Sequence, residues 1–120
     1  MIHMRKELFV YLSGPMSARD GYTVEENIAA GVKSYLELVR LGVPTYCPHL
    51  TGGFPSAWTE VPHDSWIDHA FAVIDRCTHV VMMDRWQSSG GCKREREYAM
   101  SIGKPVMDLD QFILAMSVAA

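Results

Sequence analysis

The run His79-Val80-Val81-Met82-Met83, followed after four intervening residues by Ser88-Ser89-Gly90-Gly91-Cys92-Lys93-Arg94-Glu95 and Arg96-Glu97-Tyr98-Ala99, decides the fold. The first run is apolar enough for a buried strand. The last is helix-forming and ends at Gly103-Lys104-Pro105. Strand, small-residue turn and helix together place the turn at the carboxyl end of the strand, where open α/β sheets bind ligands. Ser and Gly at a helix N-terminus expose backbone N–H groups that favour an anion. The spacing puts Glu95 in the first or second turn of that helix, within reach of the crevice.

Working outward, Leu8-Phe9-Val10-Tyr11-Leu12 is nearly all apolar and β-rich, as a central parallel strand should be. It stops at Ser13–Gly21, a loop of small residues and turn formers. Thr23 and Glu26 have capping-box spacing, and Val24, Ile28, Val32, Tyr35, Leu36 and Val39 carry a helical period that closes at Gly42. Val43–Cys47 reads as a short strand. The segment 48–63 reads as irregular, either a lid or base-stacking loop using Phe54 and Trp58, or a loop tucked onto the core by those aromatics. Asp64 or Ser65 is positioned to cap a helix carrying Trp66, Ile67, Ala70, Phe71, Val73 and Ile74. A strand over 79–83, a helix over 91–102, a strand over 105–107 and a helix over 111–118 complete the chain. Strands alternate with helices throughout, with no repeat. The pattern predicts one α/β domain over 1–120: a doubly wound, flavodoxin- or Rossmann-like sheet of four to five parallel strands with helices on both faces. Right-handed crossovers then bring the loops Ser13–Gly21 and Ser88–Glu95 to one edge.

Composition narrows the function. Of 120 residues, 48% are hydrophobic and 21% charged, with a net charge of −3, which gives no electrostatic footprint for nucleic acid. Lys93, Arg94 and Arg96 alternate with Glu95 and Glu97 and read as a solvated helix face. No apolar run approaches the ~20 residues of a membrane span, and the charged start, Met1 to Glu7, does not resemble a signal peptide. Cys47, Cys77 and Cys92 form no C-x-x-C pair, which points to reduced thiols in a cytoplasm. Neither G-x-G-x-x-G nor G-x-x-x-x-G-K-[ST] is present, and the five histidines lack metal-ligand spacing. No cofactor or metal is therefore expected. A Ser–His–Asp set can be drawn from Ser13, His69 and Asp64, but no G-x-S-x-G elbow supports it.

The first loop, S-G-P-M-S-x-R, offers Gly14 for close backbone approach and Ser13, Ser17 and Arg19 as polar donors to an anion or sugar. Asp64 and Asp68, at i and i+4, share one helical face directed to the same edge, with Glu95 opposite. Two carboxyl groups in different surroundings are what glycosidic cleavage asks for. One attacks or stabilises an oxocarbenium-like carbon and the other handles the leaving group's proton.

Tyr11-Leu12-Ser13-Gly14-Pro15-Met16-Ser17, followed by Ser89-x-Gly91-x-x-x-Glu95-x-x-x-Ala99-x-x-x-Gly103-Lys104, resembles the nucleoside 2-deoxyribosyltransferase-like superfamily. Within it the chain is similar to the small nucleotide N-glycosidases, which include 2′-deoxynucleoside 5′-monophosphate hydrolases and a hydroxymethyl-CMP hydrolase. The resemblance runs from the first strand through Val106. It implies Glu95 as the nucleophile at C1′ of the sugar, and Tyr11 as the residue that orients it. It implies a 5′-phosphate held by Ser89, Gly91 and the first-loop residues Gly14, Ser17 and Arg19. The superfamily's deoxyribosyltransferases carry an aspartate where this chain has Ser89, and a hydroxyl there suits a phosphate. Asp68, with Asp64 as the alternative, is the nearest match to the second acidic residue. The implied protein is a homodimer or higher homo-oligomer that hydrolyses a nucleoside 5′-monophosphate. Transfer to a second base and non-catalytic nucleotide sensing are the other readings. The base, and ribose against deoxyribose, stay open.

Overall fold

In the computed structural model, which describes residues 1–53 and 59–118, the chain forms a four-stranded, all-parallel sheet with helices on both faces. The strands are β1 (Val10–Ser13), β2 (Thr45–Tyr46), β3 (His79–Met82) and β4 (Val106–Asp108), in the spatial order β2-β1-β3-β4. The described α-helices are α1 (Val24–Arg40), α2 (His63–Arg76), α3 (Gly90–Ser101) and α4 (Leu109–Val118). Because β2 and β3 flank β1 on opposite sides, the winding reverses between β1 and β3. That reversal opens a crevice at the carboxyl ends of those two strands.

The period of two along a strand divides the core into two layers. Val10 and Leu12 of β1 pack with Val81, Leu38 of α1 and Phe112 of α4. Tyr11 faces the other way, with Val80, Met82, Ala70 and Ile74 of α2, and Cys92 and Ala99 of α3. Tyr11 and Ser13, two apart, therefore share the face covered by α2 and α3. The site depends on this.

The expected elements appear with shifted ends. β1 extends to Ser13, whose carbonyl accepts from Met83 N–H at 2.8 Å. Thr23 and Glu26 close the capping box, each side chain bonding the other's backbone N–H at 3.0 Å. α2 begins at His63 behind Pro62, with no side-chain cap, so neither Asp64 nor Ser65 caps it. Pro48–Gly53, expected to be irregular, forms 3₁₀ turns. The stacking role read for Phe54 and Trp58 lies outside the described residues. Phe112 of α4 is 1% exposed and belongs to the core, whereas Leu114 on the same helix and Met100 of α3 are exposed. No described helix is long and apolar enough to cross a membrane.

Candidate active site

Glu95 sits on the face of α3 that meets the sheet, between Cys92 and Ala99, which are 2% and 0% exposed. A carboxyl group in an apolar stripe needs partners, and β1 supplies both. Tyr11 Oη donates to Glu95 Oε2 at 2.8 Å, and Ser13 Oγ donates to Oε1 at 2.6 Å. Each oxygen thus has its own hydroxyl. Burial pushes the Glu95 carboxyl above its usual range, opposed by the bonds from Ser13 and Tyr11 and by the charge of Arg94. Burial, followed by the negative charge of Glu95 and the bond to it, raises the Tyr11 phenol well above its usual value, which keeps it a donor.

Above Glu95 lies a cavity of about 460 Å³, within the range of small-molecule sites. The first loop lines it with Gly14, Ser17 and Arg19, and the β3–α3 turn with Ser89, Gly90 and Gly91. Ser89 is the N-cap of α3, its Oγ accepting from Cys92 N–H at 3.2 Å. The N–H groups of Gly90 and Gly91 precede the first intrahelical acceptors. Arg94 lines the same cavity, so the solvated-face reading does not cover it.

The first loop is braced from beneath. A Cβ at Gly14 would lie 2.3 Å from Met83 Sδ and 3.0 Å from Met83 Cβ, so a larger residue there would force Met83 to shift. Asn27 of α1, 1% exposed, donates from Nδ2 to the Ser17 carbonyl at 3.0 Å, and its Oδ1 accepts from Arg85 at 2.6 Å. The Arg85 guanidinium lies 3.5 Å from the Tyr22 ring centroid, and Arg19 donates to the Ser88 carbonyl at 2.8 Å. Buried His49 holds the Pro15 carbonyl through Nε2 at 3.0 Å, with Cys47 Sγ 3.7 Å from its Nδ1. These contacts join the two loops that the topology brings to one edge.

The opposite wall is aromatic. Tyr46 stacks on Tyr11 with ring centroids 5.5 Å apart, His69 follows at 6.2 Å, and Trp66 meets His69 edge-on at 5.6 Å. The α2 face turned to the cavity carries His63, Trp66, Ile67, Ala70 and Phe71, with His69 at its border.

Three of the expected site residues, Ser13, Asp64 and Asp68, do not line the cavity. Ser13, read as a substrate contact, is 1% exposed and holds Glu95 instead. It pairs with neither His69 nor Asp64, so the three form no triad. Asp68, read as a catalytic acid, and Asp64, read as its alternative and a substrate contact, are exposed and do not line the cavity. The i,i+4 spacing does put both on one face of α2, but packing turns the adjacent face inward. The apolar period 66, 67, 70, 71 and 74 carried that information in the sequence. Glu95, Tyr11, Gly14, Ser17, Arg19, Ser89 and Gly91 converge as expected. Tyr46 and Trp66, read as a strand residue and a core aromatic, join them, as does His69. Among the described residues no three His, Cys, Asp or Glu side chains are grouped as a metal ion would require.

No curated protein matches the chain. Residues 8–108, which span the sheet from the start of β1 to the end of β4, match the family model described as a domain of unknown function (DUF4406), and the chain belongs to that family.

Proposed function

We propose that the protein is an N-glycosidase that hydrolyses a nucleoside 5′-monophosphate to free base and a sugar 5-phosphate, with Glu95 as nucleophile. The observation that carries this reading is the Glu95 carboxylate, held by one hydroxyl on each oxygen at the floor of a cavity at the switch point. Two donors fix its orientation, and fixed geometry is what a displacement at C1′ needs. The Tyr46–Trp66 wall suits a base. Gly90, Gly91, Arg19 and Arg94 suit a phosphate, through orphan N–H groups and positive charge. The proposed protein is a cytoplasmic homo-oligomer that needs no cofactor. Its three free cysteines, all buried, fit a reducing compartment. Exposed Leu114 and Met100 are the association surface proposed for it.

The test is a panel of ribo- and deoxyribonucleoside 5′-monophosphates, scored for free base and sugar phosphate. Base release from at least one member, abolished in Glu95→Ala, is expected. A nucleotide bound without turnover would make the protein a sensor. Turnover that requires a second base would make it a transferase.

A further inference from the structure

A departing base leaves with the bonding electron pair and needs a proton, and Glu95, as nucleophile, does not supply it. With Asp64 and Asp68 turned outward, another group on the cavity wall must. Among the described residues, the titratable side chains facing the cavity are Tyr11 of β1, Tyr46 of β2, Arg19 of the first loop, Cys92, Arg94 and Glu95 of α3, and His63 and His69 of α2. Tyr11 is fixed as a donor to Glu95, and burial pushes the Tyr46 phenol and the Cys92 thiol upward. Arginine does not release its proton in proteins. Imidazole is the side chain suited to giving and taking protons near neutrality. Of the two histidines, His69 is set in the aromatic wall: its ring meets Tyr46 and Trp66, and Tyr46 stacks on the tyrosine that orients Glu95. A base held against that wall would lie beside His69. His63, at the first position of α2, has no ring contact of this kind among the described residues.

We propose that His69 is the general acid that protonates the leaving base and then the general base that activates water. This rests on the glycosidase reading. In the first step a Glu95 oxygen bonds to C1′, and the C1′–N bond breaks with its electron pair moving to the base nitrogen. The imidazolium gives that nitrogen its proton and becomes neutral. In the second step water attacks C1′, the bond to Glu95 breaks with its pair returning to the carboxylate, and the imidazole takes the water's proton. Nucleotide and water become base and sugar phosphate, with both residues restored. The exchange of roles follows the pattern of retaining glycosidases.

The experiment compares the nucleotide identified by the panel with the 4-nitrophenyl glycoside of the same sugar 5-phosphate, whose leaving group departs as an anion without a proton. His69→Gln and His69→Phe should lower kcat/KM for the nucleotide by ~10²–10⁴-fold, the scale of general acid catalysis. Bond cleavage in the nitrophenyl glycoside, read as the pre-steady-state burst of nitrophenolate, should change by less than ~10-fold. Asp68→Asn should leave both unchanged. Equal loss on the two substrates, no loss on either, or the selective loss appearing in Asp68→Asn or His63→Gln would overturn the assignment. Wild-type protein inert on the whole nucleotide panel would instead overturn the glycosidase reading, and the role of His69 with it.

Discussion

At the residue scale the site is a conflict settled by geometry. Packing asks for an apolar side chain between Cys92 and Ala99, and the chain places Glu95 there. Because burial is the largest influence on this carboxyl, its pKa in the fold lies above the unfolded value of about 4.3. Between those two values the folded state binds more protons than the unfolded one, and stability falls as pH rises. The penalty is complete above the folded pKa and absent well below the unfolded one. Glu95→Gln keeps the shape, lets its carbonyl accept from Tyr11, and removes the charge. Its melting temperature should therefore exceed that of wild type at pH 7, with the gain shrinking as pH falls toward about 4. If Glu95 is the proposed nucleophile, base release should fall by ~10⁴-fold or more. Thermal melts across pH that show no stabilisation at neutrality would contradict the burial argument.

At the element scale, much of this was legible beforehand, because small-residue turns and periodicity are local. The β3–turn–α3 unit, the α1 capping box and the approach of the two loops all follow from spacing. Orientation was the harder part. Tyr11 and Ser13 share a face by strand alternation, yet only the position of α3 reveals that both hydroxyls end on Glu95. The i,i+4 spacing of Asp64 and Asp68 marks one face of α2 but does not say which way it turns. That is settled by the apolar residues packed against the sheet. The brace under the first loop was also hidden, since Asn27 and Arg85 lie 58 residues apart in sequence. Asn27→Ala should strip the Ser17 carbonyl of its donor and leave the part-buried Arg85 guanidinium without its acceptor. A loss of about 2–3 kcal/mol follows from unsatisfied buried groups of this kind. Denaturant melts test the stability. A rise in nucleotide KM larger than any fall in kcat would show that the loop, rather than Glu95, has loosened.

At the scale of the whole molecule, the winding order brings a carboxylate floor, an aromatic wall and a rim of cations to one edge. That rim belongs to a protein whose net charge is −3, so its positive character is local. If Arg19, Arg94 and the N–H groups of Gly90 and Gly91 hold a 5′-phosphate, a monophosphate should outrun its parent nucleoside. Charge-assisted bonds contribute roughly 1.5–3 kcal/mol each, and two of them imply a preference of at least ~10²-fold in kcat/KM. Arg19 and Arg94 are exposed, so the preference should shrink as salt is raised. Ser89 offers the cleaner test because it caps α3 through its oxygen, and aspartate caps helices about as well as serine. Ser89→Asp should keep the melting temperature while placing a negative charge beside the phosphate. Monophosphate turnover should then collapse toward the nucleoside's, with the nucleoside rate little changed. Equal loss on both substrates would place Ser89 in the support of Glu95 rather than at the phosphate. A wild-type protein indifferent to the phosphate would mean that the cationic rim serves some other anion.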